Sequence, residues 1–357
     1  MITENRGKEY IIFNVSKNIV ESYYRFLDRQ FVNVSQTNSA VTKYLDLGIK
    51  VIRLKIANKE LLPRVEQNFH CSLKNESKHY DATLYVWKDD IKTFLSDYYR
   101  NLTDLKYLCV DSENKPVIKF FLDKDILNAH NVATNNFYFV AKSFSDEAIS
   151  KFGHLFVHSI YPVTLTANSS LAHAASVGID NKGVLICAKG GSGKSTLAVS
   201  CLINGFQYVS DDYLILNKEK NILYSYPIYS MITLSPQIYN KLTNLKSKFM
   251  YNNYNNTKYT LDISEYDENF VKKLPIKTIL FPVISNTLNP YIEKTSKAKA
   301  ITQFVYSTAK QMDQHLNKEY IKTLTSLVKD LDCYQINLSQ DLNKNVRILK
   351  DFILKEI

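Results

Sequence analysis

Nine consecutive residues carry the strongest chemical signal in the chain: Ala188, Lys189, Gly190, Gly191, Ser192, Gly193, Lys194, Ser195 and Thr196. The spacing is that of a phosphate-binding loop, in which Gly-Lys-Ser/Thr closes a glycine-rich turn between a strand and a helix. Successive backbone N–H groups and the helix N-terminus can surround phosphates there. Lys194 would reach the β- and γ-phosphates of a nucleotide, and the Ser195 hydroxyl would ligate magnesium. Ala188 stands where the pattern has its first glycine, with Gly190, Gly191 and Gly193 supplying the freedom nearby. The implied ligands are ATP or another nucleoside triphosphate and Mg2+, and Lys194 is expected to be exposed. A second signal follows 17 and 18 residues later, where Asp211 and Asp212 come after Ser210 at the end of an apolar run. Two adjacent acids can divide the work, one supporting magnesium and the other taking a proton from an attacking hydroxyl. His173, inside Leu171-Ala172-His173-Ala174-Ala175, is either a core histidine or a member of the site.

The surrounding pattern positions these residues. An apolar strand is expected over 183–187, a helix over 194–204 stopped by Gly205, a strand over 206–216, a turn over 217–221 and a second strand over 222–228. A further strand is expected over 276–284 and a closing helix over 342–357. The stretch 247–259, rich in Asn and Tyr, reads as a polar mobile segment and a candidate flap over the site. Before the loop lies a region of mixed strands and helices. Strands are expected over 9–15, 48–56, 82–87, 107–110, 117–122 and 137–141, and helices over 18–31 and 91–99. Ser143 and Asp146 form a capping-box pattern for a helix reaching Tyr161, with Ile149, Phe152, Phe156 and Ile160 on one face. The expected organisation is an N-terminal α+β region, 1–142, which would help choose an acceptor, and a catalytic α/β domain, 143–357.

Composition narrows the functional classes. The chain has 357 residues, a formal charge of +10 and 45 basic residues, of which 38 are Lys and only seven Arg. Dispersed lysines attract phosphates in general and lack the Arg clusters and interleaved aromatics of a nucleic-acid surface, so nucleic acid is disfavoured as a partner. Five cysteines without paired spacing fit a reducing compartment. No stretch has the roughly 18–20 apolar residues of a membrane helix, and no apolar signal core precedes Lys8. A cytoplasmic protein without a membrane partner is expected.

Residues 171–177, the loop 189–196, the stretch 202–216 with Gly205 and the Asp pair, and the run 224–229 together resemble the HPr kinase/phosphorylase family. The match leans toward its HPr-kinase-like relatives, including those of lasso-peptide biosynthesis. The resemblance implies a catalytic domain similar to phosphoenolpyruvate carboxykinase, a mixed sheet with helices on one side, that phosphorylates a serine on a peptide or small protein. By motif it implies Lys194 and Ser195 at the phosphates and magnesium, Asp211 as general base, Asp212 beside the metal and His173 in the site. It also allows for a homo-oligomer. Two departures stand out. Thr196 replaces the Glu of HPr kinases proper, and no arginine lies between Arg100 and Arg347. A cation at the transferring phosphoryl group would then be a distant Arg or a lysine such as Lys272, Lys273 or Lys277, without the bidentate fork of Arg. That counts against a phosphate-driven reverse reaction and against HPr itself as substrate. The rival reading is a nucleotide-binding sensor or scaffold that transfers nothing.

Overall fold

The computed structural model describes residues 3–6, 10–95, 107–112, 115–145, 148, 154–242, 244–252, 258–285, 287–311 and 318–357. The chain divides into two compact units. The first comprises Met1–Asp46, Lys50–Glu66 and Leu73–Val163, and the second Leu47–Ile49, Gln67–Ser72 and Thr164–Ile357. The division thus falls after Val163 rather than after 142, and two short segments of the N-terminal half belong to the second unit.

The first unit is built on a ten-stranded mixed sheet. Its order is β1 (Thr3–Arg6), β2 (Tyr10–Asn14), β7 (Tyr107–Ser112), β8 (Lys115–Phe121), β9 (Ile126–Asn131), β10 (Asn136–Ala141), β6 (Ala82–Lys88), β4 (Val51–Ile56), β3 (Val41–Asp46) and β5 (Leu73–Lys74). Helix α1 (Lys17–Thr37) buries Val20, Tyr24, Leu27 and Phe31, one stripe at helical spacing. That stripe joins Trp87 and Tyr138 in the core, with Phe31 5.9 Å from Trp87 and Tyr24 6.0 Å from Tyr138 between ring centres. Two expectations change here. At the start of the helix expected over 91–99 the described residues, 91–95, form a 3-10 turn, Ile91–Phe94, capped where the Asp90 carboxylate accepts from Lys92 N–H at 3.0 Å; 96–99 lie outside the described residues. The helix expected to run unbroken to Tyr161 is interrupted at Phe156, whose φ of 63° no right-handed helix accommodates, although Ala148 is helical. What forms is α3 (Val157–Thr164), after α2 (Leu62–Phe69); Asp146, Ile149 and Phe152 lie outside the described residues.

The second unit carries a nine-stranded mixed sheet. Its main path is β11 (Ser169–His173), β15 (Tyr213–Glu219), β16 (Ile222–Pro227), β20 (Leu274–Ile284), β13 (Lys182–Ile186), β12 (Ala175–Ile179) and β14 (Gln207–Ser210). β22 (Asp332–Leu338) adds to β20, and β21 (Tyr291–Lys294) to β22. β13, β20 and β22 run parallel, and the remaining pairs are antiparallel. β12 and β16 stand three places apart in the sheet, yet the hydroxyls of Ser176 and Ser225 are 2.8 Å apart. The sheet therefore curls on itself. Helices α4 (Lys194–Ile203) and α8 (Leu342–Glu356) cover alternate residues Ala175, Val177, Val184 and Ile186 of β12 and β13. Helices α6 (Lys297–Gln311) and α7 (Lys318–Val328) lie instead along β11, where the Tyr320 hydroxyl donates to the Leu171 carbonyl at 3.0 Å.

A third sheet orders β17 (Met231–Leu234), β19 (Tyr259–Asp262) and β18 (Lys248–Asn252), with the short helix α5 (Pro236–Lys241) between β17 and β18. The expected polar segment 247–259 is thus framed by two paired strands, and 253–257 lie outside the described residues. The expected turn over 217–221 shrinks to Lys220 and Asn221, both at positive φ, because β15 continues to Glu219. Among the described residues, no helix is long and apolar enough to cross a membrane.

The parallel junction of β13 and β20 predicts a stability effect. A methyl on Gly183 would lie 2.5 Å from the Pro275 carbonyl oxygen, whereas one on Gly190 meets nothing within 4 Å. Gly183→Ala should cost about 1–3 kcal/mol and Gly190→Ala no more than about 0.5 kcal/mol. Thermal unfolding of the two variants beside the wild type checks both values.

Candidate functional site

β13 delivers the chain through Cys187, whose N–H donates to Leu280 at 3.0 Å, into the loop and then into α4. Gly193 has φ 94°, and a Cβ there would fall 2.8 Å from Leu338 Cδ1 at the end of β22. Both conformation and space therefore demand glycine at this position. Gly191, at φ 83°, faces open room, as does Gly190, so a ligand can approach the backbone closely. The turn is drawn tight where Ser192 donates to the Lys189 carbonyl, from N–H at 3.4 Å and from its hydroxyl at 2.5 Å. Thr196 follows Ser195 in the first turn of α4.

The expected single strand over 206–216 is broken in two. β14 ends at Ser210, Asp211 and Asp212 leave the ladder, and β15 resumes at Tyr213. The Ser210 hydroxyl spans the gap, donating to Tyr213 O at 2.8 Å and accepting from Asp212 N–H at 3.2 Å. The break frees the Asp211 carbonyl to accept from the Lys194 ammonium, and the Ser195 hydroxyl donates to the same oxygen at 3.5 Å. The Asp212 carboxylate lies 3.7 Å from Lys194 Nζ and 2.8 Å from His173 Nε2.

His173 ends β11 opposite Tyr213, and the next residue, Ala174, donates its N–H to Asp212 O at 2.8 Å. The His173 N–H is held by the Thr308 hydroxyl of α6 at 3.2 Å. With Nε2 bonded to Asp212, the buried Nδ1 has no hydrogen-bond partner among the described residues. Lys194, Ser195, Asp211, Asp212 and His173 thus converge on one spot at the start of α4.

Burial governs the electrostatics. Lys194 is only 7% exposed, so the expectation of an exposed lysine is corrected: its ammonium is packed against the Asp pair. Asp211 is buried, and its Oδ2 has no partner at hydrogen-bond distance among the described residues. Burial pushes its carboxyl up to about 6, against the pull of Lys194 and with some help from the Asp212 charge. Lys258, just before β19, also acts on Asp211 as a nearby positive charge. The Tyr208 hydroxyl is pushed well above its ordinary value, first by burial and then by Asp211. Burial likewise raises the Cys187 and Cys201 thiols, which sit in the core as small apolar groups.

The lysines singled out as stand-ins for a distal arginine fare differently. Lys273 pairs with Glu219 at 3.4 Å and lies 4.6 Å over the Tyr224 ring. Lys277 is exposed on β20, while Lys258 acts on Asp211. Lys258 and Thr308 escaped the sequence reading. Each comes from a segment distant in the chain, and neither sits in a pattern of its own. A hollow of about 700 Å3, lined by Asn204, Gly205, Lys241, Lys246, Glu265 and Tyr266, opens at the C-terminal end of α4, the end opposite the glycine-rich loop.

No protein-family model and no curated protein matches the chain. Among solved structures it is similar to the HPr(Ser) kinase/phosphatase from Coxiella burnetii, with 15% identity and a TM-score of 0.31, over 52% of this chain and 98% of that one.

The state of Asp211 predicts a pH-dependent stability. Its folded value, about 6, lies above the ordinary carboxylate value of 3.8. The folded protein therefore holds this proton more tightly than the unfolded chain. Stability from this group is present in full below 3.8 and is lost as pH rises to about 6. Asp211→Asn removes that loss, so the variant's Tm should exceed the wild type's by more at pH 8 than at pH 4. An advantage independent of pH would contradict the buried, proton-retaining carboxyl.

Proposed function

We propose that the second unit is an ATP- and magnesium-dependent kinase. It transfers the γ-phosphoryl group to a hydroxyl, on a serine of a peptide or small protein, using a phosphoenolpyruvate-carboxykinase-like arrangement of loop and sheet. The observation that carries this reading is the convergence of Lys194, Ser195, Asp211, Asp212 and His173 at the N-terminus of α4.

In this reading the backbone of residues 189–196 cradles the triphosphate, with Gly190 and Gly191 leaving it room. The Ser195 hydroxyl and the Asp212 carboxylate are hard oxygen donors of the kind magnesium takes. Held by these two residues, the ion would neutralise negative charge on the phosphate oxygens. Lys194 leaves the Asp211 carbonyl to follow the phosphate charge. His173 holds the Asp212 carboxylate in place through Nε2. Asp211, with its proton affinity raised toward neutrality and one oxygen unpartnered, accepts the proton of the acceptor hydroxyl as its oxygen attacks phosphorus. Lys258 replaces the distal arginine as the cation near the transferring group. The N-terminal unit contributes to acceptor choice.

One observation favours the rival reading, a nucleotide-binding sensor. The free carboxylate oxygen of Asp211 is sealed from solvent. Transfer therefore includes an opening step that exposes it, whereas a sensor needs none.

Incubation with γ-labelled ATP, magnesium and the small proteins or peptides encoded beside this chain separates the two. A kinase labels an acceptor. Lys194→Ala should abolish labelling and also lower Tm, because a buried ammonium is lost. Asp211→Asn should retain ATP binding and slow transfer by on the order of 10²–10⁴. The wild-type rate should rise from pH 5 to pH 7 with a midpoint near 6 as Asp211 ionises. Tight ATP binding without label in any acceptor, unchanged by Asp211→Asn, supports the sensor. Transfer at the wild-type rate in Asp211→Asn moves the base to Asp212 or His173.

A further inference from the structure

Away from the phosphate loop, the second unit brings together three side chains of unlike chemistry. His70 and Cys71 lie in the segment Gln67–Ser72, which belongs to this unit, and Asp267 lies in the 3-10 turn Ser264–Asn269. Both backbones are fixed from beneath. Ser230 N–H donates to the Asn68 carbonyl at 2.8 Å, Cys71 N–H donates to the Ser230 hydroxyl at 2.9 Å, and the Phe69 ring lies 5.2 Å from that of Tyr229. On the other side, the buried Tyr266 receives a bond from Lys246 N–H at 2.9 Å and donates to Asn244 O at 3.2 Å. The side chains of His70, Cys71 and Asp267 reach outward from these anchors. One nitrogen, one sulfur and one oxygen lie within 4.8 Å of one another.

We propose that this trio binds zinc. The spacing is that of three vertices of a tetrahedron around a missing centre. Zinc bonds of about 2.0–2.2 Å to nitrogen and oxygen and about 2.3 Å to sulfur imply edges of roughly 3.4 Å for N···O and 3.6 Å for S···N and S···O. The observed separations are 3.1 Å from His70 Nε2 to Asp267 Oδ1, 3.7 Å from Cys71 Sγ to the same nitrogen and 4.0 Å from Sγ to Oδ1. A turn of the imidazole about χ2, a soft torsion, aims its lone pair at the centre. Thiolate with imidazole selects zinc over magnesium, which prefers six oxygens. Cys71 and Asp267 are exposed, so the fourth position faces solvent and takes a water.

Two simpler readings account for less. A His70–Asp267 ion pair leaves the thiol at the third vertex unexplained. A thiol–imidazole nucleophile requires Sγ to address one ring nitrogen along its lone pair. Here Sγ stands 3.7 Å from both Nδ1 and Nε2, and Asp267 already engages Nε2.

Cobalt(II), a spectroscopic substitute for zinc, tests the site in the full chain, stripped with chelator and free of nucleotide, under a non-thiol reductant. One equivalent should give tetrahedral visible bands and a sulfur-to-cobalt charge-transfer band, and zinc should displace both. The other four cysteines are buried, so Cys71→Ser should remove the charge-transfer band. Changes in groups that merely orient ligands already cost 10–100-fold in metal affinity, so His70→Ala and Asp267→Asn should each weaken binding at least about tenfold. Lys194→Ala should leave the spectrum unchanged, and circular dichroism verifies that each variant is folded. Absence of the charge-transfer band at saturating cobalt overturns the proposal. So does its persistence in Cys71→Ser, or a Cys71-dependent band indifferent to both His70→Ala and Asp267→Asn, which would mark a lone thiol.

Discussion

Lys194 carries a full positive charge into a place almost closed to water, and the architecture of the second unit answers that charge. An ammonium stripped of solvent is tolerable only where oxygen replaces its hydration. A continuous strand across Asp211 and Asp212 would commit their carbonyls to a ladder. Interrupting the strand turns one carbonyl and one carboxylate toward Lys194, and Ser210 closes the gap that remains. The irregularity is therefore the means by which the charge is held.

The same break sits at a seam. β11 and β14 are the two ends of the main strand order, and the chain passes from β11 to β12 through Ala174 and from β14 to β15 through the Asp pair. The curl of the sheet sets these two crossings side by side, joined where Ala174 N–H meets Asp212 O. His173 belongs to one crossing and the acids to the other. Neither could reach the other across a flat sheet, so the curvature itself assembles the site. Gly183 has a local cause instead: the register of β13 and β20 shifts between Gly183 and Val184, and a methyl group there would meet the Pro275 carbonyl.

What was legible in the sequence follows from the range of the forces involved. The loop was legible because its glycines, lysine and serine answer to backbone geometry within nine residues. The order strand, loop, helix, strand and hairpin around it was legible for the same reason. Asp211 and Asp212 stood out as charges at the end of an apolar run, but the strand break between them did not, because it is imposed by Lys194 seventeen residues earlier. Apolar spacing suggested a helix through Phe156 and could not register the sign of its φ. The burial of Lys194 depends on the Asp pair seventeen and eighteen residues on, and the Thr308 contact and the nearness of Lys258 on elements more than thirty residues away from the groups they touch. The exchange of 67–72 between units has no local signature at all.

The parallel core of the second unit joins strands that begin at 182, 274 and 332. Such pairings close long loops before they return any contact energy, and chains dominated by them fold slowly. Leu338, at the far end of the last of these strands, is the residue that presses on Gly193. During synthesis, the glycine-rich loop therefore emerges from the ribosome well over a hundred residues before the side chain that bounds it. A chain truncated before 338 carries the glycine-rich motif without the side chain that bounds it.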